Sequence, residues 1–158
     1  MGPRACDPAY DQIIQGFAGV MSVTGSPDTQ PDRVGYSIAD TSGGIAAAMS
    51  FCAPLNANPR GAFLDISILD AVLSSMGWVV SNYLIGGLEP AANGNENMTS
   101  APFGMFFTAD KPINIAANRD AHWVSLATHI DRWDLLEYAD FKTREHGKKK
   151  SNCLAFEN

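Results

Sequence analysis

A chain of 158 residues suffices for one ordinary domain and is short for two. With 46% hydrophobic and 18% charged residues it can bury a core, which excludes disorder throughout. Its formal charge of −6 at pH 7 argues against a general nucleic-acid binder, because neutralising phosphates takes clustered cations. The run "GKKK" near the end reads as a solvated helix face. Cys6, Cys52 and Cys153 form no CxxC pair, and His122, His129 and His146 are scattered, so neither a disulfide framework nor a metal site is expected. An odd cysteine count without a secretory leader fits a reducing cytoplasm, and no apolar run reaches membrane-spanning length.

In chain order, "DPAYDQIIQGFAGVMSVTG" begins at Asp7 with a helix-start signal, Asp followed by Pro, and carries apolar residues at Ile13, Ile14, Phe17 and Val20 or Met21. This predicts a helix ending near Gly25. "SPDTQPDR", 26–33, is turn chemistry. "VGYSIA", 34–39, reads as a short strand weakened by its glycine, and "TSGGIAAAMSFCAPL" as a helix of small residues stopped or bent by Pro54. "AFLDISI" alternates like a strand, with Phe63, Asp65 and Ser67 on one side and Leu64, Ile66 and Ile68 on the other. A long helix is predicted from about Leu69 to Tyr83, closed by Gly86 and Gly87, with Met76, Trp78 and Val80 as core contacts. Strand, helix, strand, helix favours an α/β layer structure with parallel pairing.

The segment from Leu88 to Pro102 is long, polar and helix-breaking, and reads as a mobile or functional loop rather than a tight connection. "GMFFTADKPINIAA" predicts a hairpin turning around Asp110 to Pro112. Asn118 or Asp120 could cap a helix over "AHWVSLATHI", and "RWDLLEYADF" reads as a further short helical piece.

The stretch "GYSIADTSGG" places Asp40 at a strand-to-helix junction. A carboxylate there can be an N-cap that accepts backbone N–H bonds and meets the positive end of the helix dipole. It can also be a nucleophile held at a rigid strand end, where open α/β sheets hold ligands. Local pattern leaves both open.

The run "DPAYDQIIQGFAGVMSVTGSPDTQPDRVGYSIADTSGGIAAA", continued by "RGAFLDISILDAVLS", resembles the central part of class III CoA-transferases, which include the formyl-CoA and carnitine-related enzymes. The resemblance covers nearly the whole chain and is most specific from Asp7 to Ser74. It implies that 1–87 belong to a Rossmann-like large domain with parallel strands, leading through 88–158 into a smaller α+β domain. It also implies that Asp40 is the catalytic aspartate, about thirty residues after the Tyr10–Asp11 pair. By the same resemblance Asp40 would form aspartyl-anhydride and aspartyl-CoA intermediates, with acyl-CoA and a carboxylic acid as substrates and no permanently bound cofactor. Pro8, Ala9, Tyr10 and Asp11 would contact CoA, and Gly94 would mark a lid over the intermediate. The intact protein would be an interlocked homodimer. The chain itself would be a central piece of a longer polypeptide.

Two alternatives accompany this reading. α-Methylacyl-CoA racemases of the same superfamily have "GHD" where this chain has "AYD". Tyrosine, with an ordinary pKa near ~10, is a poor base at neutral pH. The other alternative is an inactive, truncated domain that self-associates through exposed apolar faces.

Overall fold

The computed structural model describes residues 6–58, 61–97 and 100–138; the "GKKK" run, His146 and Cys153 lie outside them. Two compact units are present, Met1–Gly94 and Asn95–Asn158.

In the first unit the first helix, α1, spans Asp11–Phe17. It starts later than the Asp7-Pro8 signal suggests: residues 7–10 are exposed and non-helical, Tyr10 takes the N-cap position, and Asp11 puts its negative charge in the first turn. Gly19, at φ 78°, ends α1 and leads into a single 3₁₀ turn, Val20–Ser22.

Helix α2 then runs Ile38–Leu55. The expected strand over 34–39 is absent: 34–37 form an irregular lead-in, Tyr36 O accepts the Ile38 N–H at 2.8 Å, and the helix has begun before Asp40. Pro54 is tolerated inside the last turn of α2, which ends one residue later.

Residues 61–67 carry no strand either, although the predicted alternation is real. Leu64, Ile66 and Ile68 are partly buried while Phe63, Asp65 and Ser67 are exposed. A strand is defined by a neighbour that completes its backbone ladder, and among the described residues none pairs with this segment.

The long helix expected from Leu69 to Tyr83 is two helices, α3 (Ile68–Ser75) and α4 (Gly77–Leu84). They break at Met76, whose ψ of 17° leaves the helical range. Gly77 follows at once, and a glycine there offers little propensity to resist the break. Met76 still packs against the core, but Trp78, beyond the break, is 55% exposed and is no core contact. The C-terminal glycines act as expected. Gly87 adopts φ 63° and its N–H donates to Tyr83 O, the 5→1 bond of a left-handed helix cap, while the Leu88 N–H donates to Asn82 O.

The core of this unit joins Ile14, Ala18, Val20, Ala39 and Val72, with Val34, Ile38, Ile68, Leu69, Leu73 and Met76 packed around it. It therefore ties α1, the N-terminal turn of α2 and α3 together. Small residues let α2 come close to α3: a Cβ on Gly43 would stand 3.0 Å from Ile68 Cγ1.

The second unit opens with the predicted hairpin, β1 (Phe103–Phe107) antiparallel to β2 (Pro112–Ala116), in register Phe103 to Ala116 and Phe107 to Pro112. Its turn is fastened by Thr108, whose hydroxyl donates to Lys111 O at 2.6 Å. Helix α5 covers Asp120–His129, with Arg119 rather than Asn118 or Asp120 at the N-cap and Asp120 in the first turn. After Asp131, at φ 58°, comes the short α6, Asp134–Glu137. Trp123, Ala127 and Leu135 form the core between these two helices.

The architecture is thus mixed, helices with a two-stranded sheet. Among the described residues the strand pairing is that of this antiparallel hairpin.

Candidate functional site

Asp40 is not the N-cap of α2. Ser37 occupies that position, without a side-chain cap bond, and Asp40 is the third residue of the helix. The acceptor that a cap would supply arrives from α1. Asp11 Oδ1 accepts the Ala39 N–H at 2.8 Å and the Asp40 N–H at 3.4 Å, across 28 residues of sequence in the first case. These are the second and third helical N–H groups, the pair that an N-cap side chain normally serves.

The other Asp11 oxygen is held as well. Oδ2 accepts from Gln15 Nε2 at 2.7 Å, one turn further along α1. Gln15 is fully buried, and its amide is used on both ends. Its Oε1 accepts the Val34 N–H at 2.9 Å, and Nε2 also lies 3.4 Å from Tyr36 O. A buried amide this well partnered is costly to disturb, since each released partner would be left without water. The lead-in 34–37 and the first turn of α2 are therefore pinned to α1 by one polar cluster.

Asp40 itself is exposed, and among the described residues its carboxylate takes no hydrogen bond or ion pair. It sits in the first turn of an 18-residue helix, where the dipole favours negative charge. A carboxylate fixed through its backbone and unengaged through its oxygens is free to act as a nucleophile on an electrophilic carbonyl.

The remaining expected site residues divide. Pro8, Ala9 and Tyr10 are exposed on the approach to α1, Tyr10 to 73%, so the structure brings the "PAYD" segment and Asp40 to one region. Gly94 lies at the end of the first unit in a left-handed conformation, φ 59°, with its N–H donating to Gly25 O at 2.8 Å. Gln15 was missed by sequence reasoning. Its one local signal is the Asp11–Gln15 spacing of a single helical turn.

In the second unit, His122 and His129 line an open depression with Asn114, Ser125 and Thr128. Among the described residues no three His, Cys, Asp or Glu side chains are grouped to hold a metal ion, and Cys6 and Cys52 are free and exposed. No helix among them is long and apolar enough to cross a membrane.

Comparison with known proteins gives consistent results. Residues 1–155 match the family model for CoA-transferase family III. The acetyl-CoA:oxalate CoA-transferase of Acetobacter aceti is 37% identical over 123 residues, covering 75% of this chain and 32% of that protein. The succinyl-CoA:mesaconate CoA-transferase of Haloarcula marismortui is 32% identical over 145 residues, covering 89% of this chain and 37% of that protein. The crystal structure of a CAIB/BAIF family protein from Brucella suis superposes with a TM-score of 0.78 at 27% identity, over 98% of this chain and 42% of that one. The chain thus spans about a third of the length of the curated relatives it matches. On the match of nearly every residue to one family, the chain belongs to CoA-transferase family III.

Proposed function

We propose that the full-length protein containing this chain is a CoA-transferase that moves CoA from an acyl-CoA thioester to a carboxylic acid, with Asp40 as the covalent nucleophile. Family membership supports the reaction class, as do relatives named for acetyl-CoA, succinyl-CoA and dicarboxylate exchange. The observation that carries the role of Asp40 is its exposed carboxylate, without a side-chain partner among the described residues, on a helical turn anchored by Asp11.

A carboxylate oxygen of Asp40 attacks the thioester carbonyl carbon. The C–S bond breaks, CoA leaves as thiolate, and a mixed anhydride remains. The thiolate attacks the aspartyl carbonyl carbon of that anhydride and expels the donor acid as its carboxylate, leaving an aspartyl-CoA thioester. The acceptor carboxylate attacks this thioester and displaces the thiolate, giving a second anhydride. The thiolate then takes the acceptor acyl group and restores the Asp40 carboxylate. Two easier exchanges replace one hard one, and no proton or electron is consumed. The Ala39 and Asp40 N–H groups are already engaged by Asp11, so donors for the tetrahedral oxyanions must come from elsewhere.

CoA enters this scheme as substrate, with no permanently bound cofactor. Exposed Pro8, Ala9 and Tyr10 and the backbone of Asp11 are assigned as its contacts. Gly94 is assigned to the edge of a lid, hinged beside its tether to Gly25. Leu64, Ile66 and Ile68 already alternate toward the interior, which supports placing 61–67 as one strand of a parallel, Rossmann-like sheet in the intact protein. Exposed Ile45, Met49, Phe51 and Leu55 on α2 support a homodimer, and a soluble cytoplasmic enzyme fits the acidic composition.

The racemase alternative needs a histidine beside the aspartate, and Tyr10 stands there. The test is the full-length protein incubated with acyl-CoA and hydroxylamine. A hydroxamate at Asp40 and loss of transfer in Asp40→Asn are expected. Solvent exchange of the α-proton without any adduct would favour racemisation, and undiminished CoA transfer in Asp40→Asn would end the proposal.

A further inference from the structure

We propose that Asp11, locked by Gln15, is a positioning residue for Asp40: it caps α2 from another helix and thereby sets where the nucleophilic turn stands. The inference rests on Asp40 being the nucleophile.

Three features carry it. First, α2 lacks a cap of its own, since Ser37 makes no side-chain cap bond. The N–H of Asp40 itself is one of the two that Asp11 Oδ1 accepts, at 3.4 Å, beside the 2.8 Å bond from Ala39. Second, the capping carboxylate cannot swing freely, because its second oxygen is bound at 2.7 Å by a fully buried amide. Third, that same amide fixes the lead-in to α2 through the Val34 N–H at 2.9 Å. The segment preceding α2 and the turn bearing Asp40 are thus referred to one rigid point on α1. In nucleophilic catalysis such placement matters: a misplacement on the order of 1 Å can cost ~10²-fold in rate.

The cluster has a fixed polarity, which makes it testable by exchange. An asparagine in place of Asp11 could still offer an oxygen to α2 but would turn an N–H₂ group toward the N–H₂ of Gln15, donor against donor. A glutamate in place of Gln15 removes that conflict, because one of its oxygens accepts from the introduced amide while the other still accepts the Val34 N–H; it gives up the longer 3.4 Å bond from Gln15 Nε2 to Tyr36 O, where two acceptors would then face each other. The double exchange Asp11→Asn with Gln15→Glu preserves the net charge.

The experiment uses the full-length enzyme with acetyl-CoA or succinyl-CoA as donor and succinate or oxalate as acceptor, whichever pair the wild type turns over. Asp11→Ala is expected to lower kcat by about 10- to 100-fold, with KM for the CoA thioester changed by no more than about 2-fold. The yield of hydroxylamine-trapped Asp40 in a single turnover should fall in step. Asp11→Asn should be intermediate to severe, and the double exchange should recover part of the loss. Circular dichroism confirms folding of each variant, and the Asp11→Asn and double variants preserve the test where Asp11→Ala does not fold. Full kcat in Asp11→Ala would overturn the proposal. A loss carried by KM alone would also overturn it, making Asp11 a CoA contact. So would a folded double variant no faster than Asp11→Asn. Asp40→Asn, measured in parallel, separates these outcomes from failure of the underlying reading, because that variant abolishes transfer only if Asp40 is the nucleophile.

Discussion

Two adjacent glycines of α2, Gly43 and Gly44, have opposite surroundings, and their replacement by alanine separates backbone propensity from packing. Both are interior to the helix, so Gly→Ala gains about 1 kcal/mol of helix propensity at each. At Gly44 nothing lies within 4 Å of the added Cβ, and that gain should appear almost undiminished. At the buried Gly43 the new Cβ would meet Ile68 Cγ1 at 3.0 Å, and Ile68 Cβ and Cγ2 at 3.6 Å. Ile68 is β-branched and sits in the first turn of α3, so its side chain has little rotameric freedom to retreat. Overpacking of this kind costs about 1–3 kcal/mol. Gly44→Ala should therefore stabilise the first unit and Gly43→Ala destabilise it. The gap between them, about 2 kcal/mol, is the packing contribution alone, because the propensity gain cancels. Urea unfolding followed by far-ultraviolet ellipticity measures it, since four of the six described α-helices belong to this unit. In an Ile68→Ala background, which removes both Cγ atoms, the gap should close. Equal stability of the two single variants would refute the claim that close approach of α2 to α3 requires glycine at 43.

Three further outcomes follow from the same structure. Val72→Ala removes two carbons from a fully buried side chain at the centre of the first core, and should cost about 2–3 kcal/mol in urea unfolding. Ser67→Ala removes the oxygen that accepts the Asp70 N–H at 3.2 Å, and should cost α3 about 1 kcal/mol in the same assay. In the second unit, Arg132 holds Asp134 through two 2.8 Å bonds. The side-chain hydrogen bond from Arg132 is the main cause that lowers the Asp134 pKa from its ordinary value. A depressed folded-state pKa stabilises the fold above the ordinary aspartate range, and that contribution fades as pH falls through the folded value. An NMR titration of the Asp134 carboxyl should move toward the ordinary aspartate value in Arg132→Ala, while the exposed pair contributes little to overall stability.

The residues by themselves determined the local elements whose cause is local. The hairpin over 103–116 follows from alternation and a Thr-Ala-Asp-Lys turn, α5 from its apolar spacing, and the close of α4 from Gly87 in the left-handed region. The resemblance to the CoA-transferase family was also legible, carried by separated motifs in order from Asp7 to Ser74. Long-range partners decided the rest. Segment 61–67 has the alternation of a strand, but a strand also needs a ladder, and no described segment supplies one. The junction at "GYSIAD" suggested Asp40 as a cap because aspartate is a good one. Tertiary packing instead delivered the Asp11 carboxylate to that helix end and left the Asp40 oxygens unengaged among the described residues. The one sequence signal of Gln15, its spacing of one helical turn from Asp11, did not distinguish it, since an amide so placed beside an acid is ordinary on a solvated face. Only burial, which removes water as an alternative partner, turned that pair into a fixed point for the first turn of α2.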